Sequence, residues 1–158
     1  MGRSMNWVVV HFVWSTWDRQ PLISADGERG LHRFLYAEAT RLGARVLAIN
    51  GMPDHVHVLV QMPTTIAIGD FVKRLKGSSS HWMNHASSAL PAFKWQGRYG
   101  AFSVSRRDID RVVHYIARQK DHHAAETFDA DVEPSDDPPP VSAQADTRPS
   151  ALSGEFIR

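Results

Sequence analysis

A chain of 158 residues with 42% apolar side chains has the size and core material of one ordinary domain; it holds no apolar run long enough to span a bilayer, and with no cysteine it excludes disulfides and thiolate metal sites. The net charge of +1 hides an asymmetry: residues 1–123 carry 16 Lys and Arg against 9 Asp and Glu, a net +7, and residues 124–158 carry 2 against 8, a net −6. A basic body suits a polyanion such as nucleic acid, although the excess alone fits an ordinary solvated surface equally well; the apolar start lacks a small-residue cleavage site, so a cytoplasmic protein is expected.

Asn6–Trp14, rich in Val and aromatics, predicts a strand, and a polar loop with Asp18, Arg19 and Pro21 follows. Leu31, Phe34, Leu35 and Leu42 recur at helical spacing within Gly27–Leu42, with Gly43 as the stop. Arg45–Asn50 and His55–Met62 read as two strands joined by the turn Gly51-Met52-Pro53-Asp54. A second helix runs from Ile66 to about His85, with Phe71, Leu75 and Trp82 inward and Lys73, Arg74 and Lys76 outward. Phe93–Ser105 ends in the strand Ala101–Ser105, and Asp108–His123 is a third helix with Ile109, Val112, Val113 and Ile116 on its apolar side.

The first six elements follow the β-α-β-β-α-β order of ferredoxin-like folds. An α+β domain over residues 1–123 is expected, an antiparallel sheet with two helices on one face and the C-terminal helix on the other. From Ala124 the chain turns acidic and holds five of the nine prolines, so residues 124–158 are expected to be a largely disordered tail.

Alternation puts His55 and His57 on one face of their strand and Val56, Val58 and Val60 on the other. Two adjacent imidazoles can begin a divalent metal site, while an isolated His-x-His is more often two histidines on a half-exposed strand. Tyr115 and Gln119, four apart, share a helix face with Arg111 and His122 near it. Gln119 can add an amide oxygen as a third ligand, with Tyr115 beside the metal; the plainer reading makes Tyr115 a core residue and Gln119 a solvated one. A phenol ionises near pH 10, so a nearby cation and a polarised phosphate would both help it attack phosphorus.

The ordered set His55-Val56-His57, Lys76-Gly-Ser-Ser-Ser80, Trp95-Gln-Gly-Arg-Tyr-Gly-Ala-Phe-Ser-Val-Ser105 and Tyr115-Ile-Ala-Arg-Gln-Lys-Asp-His-His123 resembles the single-tyrosine transposases of the His-hydrophobic-His superfamily, over about Val9–His123. These include small bacterial insertion-sequence transposases and REP-associated enzymes. The resemblance implies a ferredoxin-like fold, a Mg2+ or Mn2+ site and a homodimer. It also implies cleavage of single-stranded DNA, often marked by a hairpin, to leave a 5′-phosphotyrosine and a free 3′-OH. By position, His55, His57 and Gln119 become metal ligands and Tyr115 the nucleophile. The sequence departs from the pattern after His123, where relatives continue as charged helical sequence.

Other residues stay open at this level. Lys73, Arg74, Lys76, Arg98, Arg106 and Arg107 can contact phosphates or be solvated charges. Trp95, Tyr99 and Phe102 can stack on bases or fill the core. His11 and Asp54 lie near the site without an assigned role, and His81, His85, His122 and His123 read as surface residues. The competing functions are a non-catalytic ferredoxin-like nucleic-acid-binding protein and a structural metal domain; metal-dependent nicking separates the enzyme from both.

Overall fold

Alternation along β1 (Val9–Ser15) sets the two sides of the protein: Val10, Phe12 and Trp14 join the hydrophobic core, while His11 and Val13 point to the opposite face. The computed structural model describes residues 4–86 and 92–125, which lie in one compact unit, Met1–Phe128. After β1 come a short 3-10 turn (Trp17–Arg19), α1 (Ala25–Arg41), β2 (Arg45–Met52), β3 (His55–Gln61), α2 (Ile68–Ala86), β4 (Gly100–Ser103), α3 (Ile109–Ala117) and α4 (Gln119–Ala125). The sheet order is β2-β3-β1-β4 with every neighbouring pair antiparallel, the arrangement expected of the ferredoxin-like order. Element ends move by up to three residues from the sequence reading; β1, for example, starts at Val9 rather than Asn6.

Phe12, Trp14, Val56, Val58 and Val60 form the core face, against Leu31 and Leu35 of α1 and Phe71 and Leu75 of α2. Burying each large apolar side chain contributes about 1.5–3 kcal/mol, so this layer drives the fold. Helix α1 starts where Ser24 accepts a hydrogen bond from the Gly27 amide at 3.0 Å and stops at Gly43, whose φ of 91° favours glycine. The other face of the sheet is covered by α3, which packs on β2 and β3.

Two irregularities shape that second face. Strand β2 shifts register between Val46 and Ala48, so Leu47 is an extra residue: Val46 pairs with Val60 on the core face, yet Ala48 pairs with Leu59 and Asn50 with His57 on the opposite one. Strict alternation from Val46 would have sent Asn50 into the core; the bulge turns it towards α3.

The second irregularity corrects the expectation of one helix over Asp108–His123. The helix breaks at Arg118 (φ −103°, ψ 20°), whose amide is shared by the His114 and Tyr115 carbonyls at 3.2 Å each, and the Asp121 amide donates to Arg118 three residues back. The Asn50 Nδ2 donates to the carbonyls of Ile116 (2.9 Å) and Ala117 (3.1 Å), which occupies the acceptors a continuous helix would use. The expected tail lies outside the described residues except for Ala124 and Ala125, and the side chains of His122 and His123 also lie outside them. No described helix is long and apolar enough to cross a membrane.

Candidate metal and tyrosine site

His55 and His57 lie one strand-step apart on the α3 side of the sheet, 1% and 0% exposed, with ring centroids 5.2 Å apart. Each is held at Nδ1 by a different neighbour. The His55 Nδ1 donates to Asp54 Oδ1 at 2.6 Å, and Arg19 Nε lies 3.4 Å from Asp54 Oδ2. The hydrogen bond from His55 holds the Asp54 carboxyl below the usual carboxylate range, with the Arg19 charge in support and partial burial opposing. The His57 Nδ1 is 2.9 Å from His11 Nε2, and those rings stack at 5.1 Å with 19° between planes.

These contacts fix what the histidines can offer. With the proton on Nδ1 and directed at Asp54 or His11, each ring keeps its lone pair at Nε2, and both Nε2 atoms are buried. Metal-binding imidazoles are commonly anchored this way. His11 and Asp54, which had no role at the sequence level, are the anchors. Asp54 is legible as the turn residue preceding His55, whereas His11 needs the β1–β3 pairing.

Helix α3 brings Tyr115, 6% exposed, onto this side of the sheet. Four residues on, Gln119 opens α4 and is fully buried. Neither its Oε1 nor its Nε2 has a hydrogen-bond partner among the described residues. Leaving such a group unsatisfied costs about 1–3 kcal/mol, which marks Gln119 as a candidate ligand-binding side chain. Asn50 ties this region to the strand: opposite His57 in the ladder, it bonds the last carbonyls of α3, and its Oδ1 is 3.4 Å from Lys120, whose ammonium also meets Glu28 of α1 at 2.7 Å.

Among the described residues no three His, Cys, Asp or Glu side chains converge on one cation position. A third protein donor would therefore come from other chemistry, and the buried amide oxygen of Gln119 is a donor of that kind. Two imidazole nitrogens and an amide oxygen suit a borderline-to-hard divalent cation, so the residues fit the metal that the resemblance implies.

The remaining candidates separate. Lys73, Arg74, Arg98, Arg106 and Arg107 are exposed. Lys76 is not the outward charge expected: its ammonium bonds the carbonyls of Gln96 (2.5 Å) and Arg98 (3.0 Å), and burial pushes its pKa down. Trp95 is a core residue whose Nε1 donates to buried Ser79, Phe102 is half-buried against His11, and Tyr99 is exposed. Trp82 is partly buried, stacked on Phe34, and His81 and His85 are exposed as expected.

The IS200-like transposase family matches residues 4–119, a span that ends on Gln119. The chain is 33% identical over 116 residues to the ISDra2 transposase TnpA of Deinococcus radiodurans, covering 70% of this chain and 83% of that protein. A Deinococcus radiodurans R1 protein whose crystal structure is described as a transposase superposes with a TM-score of 0.59 at 30% identity, over 75% of this chain and 96% of that one. A REP-associated tyrosine transposase bound to a REP hairpin shares the fold, with a TM-score of 0.58 at 16% identity over 78% of this chain and 74% of that one. With the family's pattern running through every described strand and as far as the start of α4, the chain belongs to the IS200-like transposases.

Proposed function

We propose that this transposase cuts and rejoins single-stranded DNA through a 5′-phosphotyrosine on Tyr115, with Mg2+ or Mn2+ held by His55, His57 and Gln119. The observation that carries the reading is the fully buried, unmatched amide of Gln119, two residues past a helix end that is tied to the strand partner of His57.

Asp54 and His11 orient the two imidazoles so that Nε2 faces outward from each anchor, and Gln119 adds its oxygen. A divalent cation supplies charge neutralisation at the scissile phosphate when bound there. Tyr115 does the covalent work: its phenolic oxygen forms a bond to phosphorus, the bond from phosphorus to the 3′ oxygen breaks, the phenol's proton passes to water and the 3′ oxygen takes one up. The new ester retains the energy of the old one, so attack by a 3′-OH reverses the step with no nucleotide cofactor. The protein's task is positioning and charge control, as in phosphoryl transfer generally.

The partner is single-stranded DNA with a hairpin, and the assembly a homodimer. The basic body and the REP hairpin bound by the fold neighbour support the first, and the family resemblance supports both. Lys73, Arg74, Arg98, Arg106 and Arg107 contact phosphates, whereas Lys76 braces the loop at Gln96–Arg98.

Incubating the protein with labelled hairpin-bearing single strands and Mn2+ should yield a covalent adduct on a denaturing gel. Tyr115→Phe should abolish it while preserving folding. Cutting by Tyr115→Phe at the wild-type rate would identify a water nucleophile instead, and an adduct mapped to Tyr36 or Tyr99 would overturn the assignment.

A further inference from the structure

The turn after β1 combines an exposed aromatic with backbone strain beside the histidine pair. Asp18 and Arg19 have φ of 51° and 50°, a left-handed region that costs a residue with a side chain, and such strain concentrates at binding and catalytic turns. The turn is held firmly in that shape. The Thr16 amide donates to the Asp54 carbonyl at 2.8 Å, the Thr16 hydroxyl donates to the Gln20 carbonyl at 2.5 Å with the Asp54 carbonyl at 3.1 Å, the Trp17 amide donates to the Lys94 carbonyl at 2.8 Å, and Arg19 meets the Asp54 carboxylate. What it presents is Trp17, 46% exposed, with the Lys94 ammonium 3.6 Å from its ring centroid.

The sheet register fixes the side on which this happens. Ser15 pairs with His55 and lies on its side, and Trp17 opens the turn whose Thr16 and Arg19 bond Asp54, the residue before His55. Thr16 bridges buried Trp95, which sends Lys94 to that same side.

We propose that Trp17, Lys94 and Arg19 form a shelf for one unpaired nucleotide of the DNA strand, next to the proposed metal site: the base stacks on the indole, and the two cations meet the phosphates that flank it. The identity of the strand rests on the function proposed above; the shelf itself rests on the turn. An indole with one cation over its ring and a second two residues on matches a single-stranded nucleotide, which offers both a π face and an adjoining anion, whereas a duplex keeps its base faces stacked. Of the acids nearby, Asp54 is engaged through both oxygens by His55 and Arg19, which leaves Asp18 as the acid that tempers the site.

The test uses the full-length protein in EDTA and two probes, dT12 and a 12-mer of abasic deoxyribose phosphate, followed by fluorescence anisotropy. The wild type should prefer dT12. Trp17→Ala should weaken dT12 binding by about 5- to 100-fold, leave the abasic probe unchanged, and remove part of the tryptophan quenching that dT12 causes. Trp17→Phe should restore most of the preference, and thermal melts should match because the side chain is half exposed. Equal dT12 affinity in the wild type and Trp17→Ala would overturn the shelf, as would equal weakening of both probes. A protein that binds dT12 through Trp17 but forms no Mn2+-dependent adduct would keep the shelf and defeat the catalytic reading.

Discussion

Asp54 and His11 hold the two histidines by different chemistry, one a carboxylate with its own arginine, the other a second imidazole stacked on the first. Both act by fixing which nitrogen carries the proton, so both should matter to metal affinity without touching metal. His11→Phe keeps the ring and its stacking but removes the nitrogen that lies 2.9 Å from His57 Nδ1. Asp54→Ala removes the acceptor for His55. Each should weaken Mn2+ binding, followed by electron paramagnetic resonance titration, by about 10- to 100-fold. His55→Ala and His57→Ala should abolish binding and adduct formation with a folded core, because the valine face of β3 remains intact. Wild-type Mn2+ affinity in both His11→Phe and Asp54→Ala would show that the histidines are oriented by the strand alone.

At the scale of elements, Asn50 decides how the tyrosine helix meets the sheet. The bulge at Leu47 turns Asn50 out of the core, and its amide then holds the end of α3, midway between Tyr115 and Gln119. Asn50→Leu leaves the carbonyls of Ile116 and Ala117 without that donor, which should cost about 1–3 kcal/mol in urea unfolding. Because the lost contact sets the placement of Tyr115, single-turnover adduct formation should fall more than dT12 affinity does. An equal fall in both, or in neither, would reduce Asn50 to a stabilising contact. The same residue explains what the sequence could and could not reveal. The strands, α1 and α2 follow from local period and caps such as Ser24 and Gly43, and the His55–His57 face from simple alternation. The break at Arg118 is imposed by the side chain of Asn50, 66 positions before the Ile116 carbonyl it bonds, and nothing in the local pattern of α3 and α4 marks it. Lys76 was misread as outward for a related reason, since its partners, the Gln96 and Arg98 carbonyls, come from a loop twenty residues on. The pairing of His11 with His57 likewise spans 46 positions and exists only once β1 lies against β3.

Across the whole molecule, charge and core are divided differently along the chain. The core cluster draws on residues between Val10 and Trp95, while a net acidic excess lies beyond α4: residues 126–158 carry 8 Asp and Glu against 2 Arg. Removing residues 126–158 therefore takes a −6 segment from a +7 body without deleting any member of that cluster. Two consequences follow from Coulomb attraction to a polyanion. Affinity for dT12 should rise several-fold at low salt, because the acidic segment no longer offsets the body's field. The gain should vanish near 1 M salt, where the Debye length falls to about 3 Å and charges outside direct contact are screened. The melting temperature should stay within a few degrees of the full chain. Anisotropy titrations of both proteins across a salt series, paired with thermal melts, check all three. A salt-independent gain would mean that the removed segment blocks the DNA surface sterically, and a large drop in melting temperature would mean that it packs on the folded body.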